Sequence, residues 1–129
     1  MTISKQTYRS GPYKDLIANG VQVGNVLYLS GQVGIDVAGI TGDGIAEQAR
    51  LAYVNIQEVL SKFGATMDNI VDETVFVTDM SEIMSNIESV YGHRAAAYGG
   101  LPEVCQTLVQ VAALVMPELK IEIKCIAHL

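Results

Sequence analysis

The 129-residue sequence has no tryptophan, only two cysteines and two histidines, and only eight aromatic residues among Tyr and Phe. Each shortage excludes something. Two cysteines, Cys105 and Cys125, cannot form a disulfide framework. Two histidines, His93 and His128, have no carboxylate at ligand spacing, and the Cys125/His128 pair would fall on opposite faces of a strand, so no metal site is expected. Few aromatics leave little to stack against bases. Lys and Arg total 8 against 14 Asp and Glu, a formal charge of -6, and no two basic residues are adjacent. Such a surface repels phosphate backbones, so nucleic-acid binding has no electrostatic support. No apolar stretch is long enough to span a bilayer, and Met1–Gln6 is not followed by a signal-like apolar run. A cytoplasmic, reduced protein without a membrane contact is the expectation.

Half of the residues are hydrophobic, enough for one core in one domain over residues 1–129. Val21–Ser30 carries a hairpin signal, with Gly24-Asn25 between two aliphatic runs. The glycines at 31, 34, 39, 42 and 44 match no nucleotide-binding fingerprint and predict a loop. A helix is expected from Asp43 or Gly44 to about Phe63, because Ile45, Ala49, Ala52, Tyr53, Ile56, Val59 and Leu60 recur at helical spacing before Gly64. Asp68–Thr78 predicts a strand. Asp79 with Glu82 resembles a capping box opening a second helix that runs to Tyr98 and stops at Gly99-Gly100. Val104–Leu114 and Leu119–Ala127 predict two strands paired with each other across a Met-Pro turn. The expected order is β-β-α-β-α-β-β, an α+β mixed sheet with two helices on one face. The far face is apolar and needs a cover, for which self-association is the expected solution.

Short motifs add a resemblance. Gly11-Pro12-Tyr13, Ser30-Gly31-Gln32, Glu47-Gln48-Ala49-Arg50 with Asn55, Thr74–Asp79 and the two last strands occur in the order and spacing of the RidA/YjgF family. The resemblance runs from about Gly11 to Ala127. It implies a chorismate-mutase-like fold, a homotrimer with clefts between subunits, no cofactor, and hydrolysis of reactive enamines or imines of small carboxylic acids. Some members of the family are called endoribonucleases.

An imino acid presents a carboxylate, best held by an arginine fork, and its hydrolysis needs a positioned proton carrier. Carried onto this chain, the family's tyrosine is Tyr13, and its serine and glycine are Ser30 and Gly31. Its arginine falls on Gln106, the small residue beyond it on Leu108, its glutamate on Lys124, and a helix asparagine on Glu88. A register slip would bring Cys105 or Thr107 into the cleft, but no register places an arginine there. The resemblance therefore implies Lys124 and Tyr13 as catalytic candidates, and Gln106, Ser30, Gly31, Leu108 and Glu88 as substrate-binding ones. Lys124 would take over the anion-binding role, next to Gln106 across the strand pair. Alternatively, Lys124 is a solvated lysine and the site has decayed. Arg94 is the one nearby arginine able to replace the missing one, although such a residue more often pairs with a carboxylate. A neutral amide at position 106 predicts weak or absent activity on 2-iminobutanoate and 2-iminopropanoate.

Three functions remain open: an imine deaminase with altered substrate choice, a trimeric module that binds a small carboxylate or a polypeptide without turnover, and a ribonuclease. The last is disfavoured by the acidic balance and the lack of a histidine pair.

Overall fold

A computed structural model describes residues 2–129. The elements are β1 (Gln6–Tyr8), β2 (Gly20–Val23), β3 (Val26–Leu29), β4 (Gln32–Val33), α1 (Gly44–Ser61), a 3-10 turn (Met67–Asn69), β5 (Ile70–Val77), α2 (Met80–Ser85), α3 (Ile87–Tyr98), β6 (Cys105–Gln110) and β7 (Ile121–His128). They form one mixed sheet in the order β1-β2-β3-β7-β5-β6, with β4 also on β7. The helices pack on one face, as expected for this α+β class. No helix is long and apolar enough to cross a membrane among the described residues.

The hairpin forms at Gly24-Asn25, where Gly24 takes φ 57°; among the described residues no non-glycine has positive φ. A single positive-φ residue at the first turn position fits a type II′ turn. The apolar stripe of α1 is buried as its spacing predicts, with Ile45, Ala49, Ala52, Ile56 and Leu60 no more than 2% exposed. Two polar residues of that helix fasten the preceding loop. Asn55 donates to the Val33 and Ile35 carbonyls, both at 2.9 Å. Gln48, 1% exposed, donates to the Gly42 and Glu118 carbonyls and accepts from the Lys120 amide.

Two expectations are corrected. The second helix is two helices, because Asn86 leaves helical geometry (φ -119°, ψ 19°): its backbone amide donates to the Ile83 carbonyl at 3.0 Å, and its side-chain Nδ2 takes the Glu82 carbonyl at 2.8 Å. More consequentially, β6 and β7 are not a hairpin. β5 lies between them, parallel to β6 and antiparallel to β7. The strand expected to reach Leu114 ends at Gln110, and residues 111–120 carry the chain past the end of β5. The aliphatic residues of that connection mimic a strand in sequence.

Alternation along β7 separates two environments. Ile121, Ile123, Cys125 and Ala127 face the helices and are at most 1% exposed. Glu122, Lys124, Ile126 and His128 face away from them. This open face also carries Val21, Val26, Tyr28, Phe76 and Val109, of which Tyr28 remains 46% exposed.

Candidate functional site

The sheet is irregular in two places, at Val71 of β5 opposite β7 and where β3 gives way to β4, and the second concerns the open face. β3 and β4 pair in succession along the same edge of β7, at Tyr28↔Ile126 and then Gln32↔Ile123. Four residue steps on one strand therefore oppose three on the other, and Ser30-Gly31 hold the extra residue, a bulge. Ser30 is fixed there: its hydroxyl donates to the Ala18 carbonyl at 2.6 Å and its amide to the Asn19 carbonyl at 2.9 Å. The Glu122 carboxyl rests directly against Gly31, where a Cβ would stand 2.3 Å from it. Beside them, the Lys124 ammonium donates to the Leu29 carbonyl at 3.0 Å. Burial raises the Glu122 pKa above its ordinary value, and neighbouring Lys124 opposes that shift. The bulge thus gathers a carboxyl, an ammonium and irregular backbone in one place.

The other sequence-derived candidates lie elsewhere. Tyr13 is 49% exposed, on the turn that leads to Ala18 and Asn19. Glu88 is exposed in the first turn of α3. Gln106 and Leu108 face the helices, opposite to Lys124. Lys124 and Gln106 are consequently not neighbours: in the ladder they are partnered to Thr74 and Glu73, on opposite faces of β5. The open-face residue on β6 level with Lys124 is Thr107. Cys105 and Cys125 are likewise separated by β5, one exposed and one buried, so they are not a pair.

Gln106 belongs to a buried polar cluster on the helix side. Its centre is Glu73, 0% exposed. Glu73 Oε1 accepts from Arg94 Nε and from Gln106 Nε2, each at 2.6 Å. Its Oε2 accepts from the Tyr98 hydroxyl at 2.7 Å, and the Tyr53 hydroxyl lies 3.2 Å from Oε1. The Tyr91 hydroxyl donates to Gln106 Oε1 at 2.5 Å. Burial, and then the Glu73 charge, push both Tyr53 and Tyr98 up, so they remain neutral donors. Burial alone works against the charge on Arg94, but Glu73 more than offsets it and the net shift is upward. Alternation signalled this cluster in the sequence: Glu73 is in phase with buried Val75 and Val77. A carboxylate there requires donors, and Arg94 shares the helix stripe with Tyr91 and Tyr98. Among the described residues, no group of three His, Cys, Asp or Glu side chains could hold a metal.

Comparison with known proteins gives the lineage. The family model for endoribonuclease L-PSP matches residues 6–129. The chain belongs to the endoribonuclease L-PSP family. A relative in this family, the 2-iminobutanoate/2-iminopropanoate deaminase of Mus musculus, is 34% identical over 91% of this chain and 81% of its own. Among solved structures, Rv2704 of Mycobacterium tuberculosis, a YjgF/YER057c/UK114 family member, superposes with TM-score 0.81 at 29% identity, covering 98% of this chain and 100% of its own. RidA from Psychrobacter sp. PAMC 21119 gives TM-score 0.79 at 27% identity, covering 100% and 99%. The L-PSP family is thus the RidA/YjgF family that the sequence motifs resemble, and the mixed sheet with its helices on one face is the fold of these neighbours.

Proposed function

We propose that this chain is a RidA-like hydrolase that converts small enamines or imines of carboxylic acids to the oxo acid and ammonia. The observation that carries the reading is kinship, over 91% of this chain and 81% of the relative, with a protein named for that reaction. The chemistry adds water across C=N, protonates the nitrogen, and expels ammonia from the carbinolamine. It needs one group that gives and takes a proton. Glu122 suits that role, because burial favours its protonated form and it stands against the Ser30-Gly31 bulge. Lys124 beside it tunes that carboxyl, and Tyr13, on the turn pinned to Ser30, can close over a ligand.

This group lies on the open face, whereas the Gln106 position lies on the helix face of the edge strand. One chain cannot bring both to one ligand. A cleft between copies can, which fits a homotrimer that also covers the apolar open face. The working location is the cytoplasm.

One observation favours a second reading, a binding module without turnover: both ends of the Gln106 amide are engaged inside the protein and neither carries a charge, so position 106 cannot grip a ligand carboxylate as an arginine fork would. A panel of imino acids, generated in place by threonine dehydratase or an amino-acid oxidase, separates the two. Faster release of oxo acid than in buffer, lost in Glu122→Gln, supports the hydrolase. No acceleration across the panel would sink it. Sedimentation equilibrium should give three times the 13.9 kDa chain mass; a stable monomer would remove the inter-subunit site.

A further inference from the structure

We infer that Arg94, delivered from α3, grips the ligand carboxylate in place of the arginine that β6 lacks. The inference rests on the proposed function only for the class of ligand, a small 2-oxo or 2-imino acid.

The first support is position. Arg94 Nε and Gln106 Nε2 donate to the same Glu73 oxygen at the same 2.6 Å, so the guanidinium stands beside the end of the Gln106 side chain. Gln106 occupies the place where the family resemblance expects the arginine. The cation has therefore changed its element of origin, from strand to helix, and not its neighbourhood.

The second support is the free edge of the guanidinium. Glu73 takes only Nε. No hydrogen bond joins either Nη to the protein among the described residues. No buried side-chain nitrogen or oxygen there lacks a partner, so these Nη groups reach solvent although the side chain is only 13% exposed. An Nη pair is the geometry that binds a carboxylate through two parallel bonds.

The third support is rigidity and access. The Arg94 guanidinium sits 5.8 Å from the Tyr91 ring centre and 5.4 Å from that of Tyr98, which with Glu73 fix its plane. The hollow lined by Tyr53, Tyr91, Arg94 and Gln106 holds only about 10 Å³, room for one water. The ligand must dock outside it, along the free edge of β6, which ends the sheet. A counter-ion kept only to neutralise Glu73 would not need an outward fork; a lysine would suffice.

The test titrates 2-oxobutanoate into the full-length protein by calorimetry, with 2-butanone as a probe of the same skeleton lacking the carboxylate. Glu73→Gln/Arg94→Gln removes both charges, so no lone charge stays buried. It should weaken 2-oxobutanoate binding about tenfold or more and leave 2-butanone unchanged. Arg94→Lys keeps the charge and loses the fork; it should lose most of the affinity too, which keeps the inference testable if the double variant does not fold. Wild-type affinity in the folded double variant or in Arg94→Lys overturns the inference, as does wild-type protein that fails to bind 2-oxobutanoate at millimolar concentration. Arg94-dependent binding without imine turnover upholds it and refutes the hydrolase. Turnover with unchanged KM in the double variant does the reverse.

Discussion

Arg94→Met alone should damage stability badly, and adding Glu73→Leu should repair much of that damage. Glu73 is 0% exposed and Arg94 13%, so the pair is screened little by water. Removing one partner of such a pair typically costs about 3–5 kcal/mol, because the other charge is left uncompensated. Here Tyr53, Tyr98 and Gln106 still donate to the carboxylate, which places the cost near the lower end, about 3 kcal/mol. For a domain of this size that corresponds to a fall in Tm of roughly 10–15 °C. With Glu73→Leu added, no charge is stranded; Tyr98 and Gln106 are only partly buried and can turn to water, so the remaining cost is mainly that of the buried Tyr53 hydroxyl without its acceptor, about 1–2 kcal/mol. Urea unfolding of the wild type, both single variants and the double gives the coupling directly. A cost below about 1 kcal/mol for Arg94→Met would show that solvent already screens the pair. A double variant no more stable than Arg94→Met would show that the loss is one of packing, and the electrostatic reasoning would fail.

Three further outcomes follow from other sites. Gly34→Ala should destabilise by about 2–4 kcal/mol, because the added Cβ would meet the Gln48 Cα at 2.4 Å and helix backbone cannot yield cheaply; a melt within a degree of wild type would contradict this. Gln48→Leu should cost about 2–4 kcal/mol in urea unfolding by stranding the Lys120 amide and the Gly42 and Glu118 carbonyls, and a neutral result would mean that water replaces the amide. Burial raises Glu122 above the ordinary glutamate value of 4.5, so its contribution to stability is greatest below the unfolded value and is lost as pH rises through the folded one. Glu122→Gln should therefore raise Tm at about pH 7 and give no gain at about pH 3.5; a variant that melts lower than wild type at neutral pH would refute the assignment.

Periodicity made α1, the first hairpin and β5 legible, since each buries one face and its residues repeat accordingly. What it could not supply was pairing. Nothing local says that β6 pairs parallel with β5 and leaves β7 to the other side, and aliphatic residues from Val111 to Met116 filled the connection with strand-like sequence. That one error propagated to the site, placing Gln106 beside Lys124. Alternation along β7 does put Lys124, Glu122 and Ile126 on one face. Glu73 could have been found by the same rule, as a carboxylate in phase with Val75 and Val77. Glu122 could not, because its environment comes from the Ser30-Gly31 bulge, a feature of the paired strands and not of either segment alone.

The shared oxygen of Glu73 also constrains how this protein can change. An arginine at position 106 would bring a second guanidinium to an oxygen already held by Arg94, with one buried carboxylate to balance two cations. Loss of Arg94 first would strand Glu73, and loss of Glu73 first would leave the Arg94 guanidinium without its anchor. Every single-step route back to a strand-borne arginine passes through an imbalance of buried charge, so positions 73, 94 and 106 form one heritable unit. A relative that carries arginine at the position of Gln106 is therefore expected to have neither the buried glutamate nor the helix arginine, and mixed combinations should be rare and unstable.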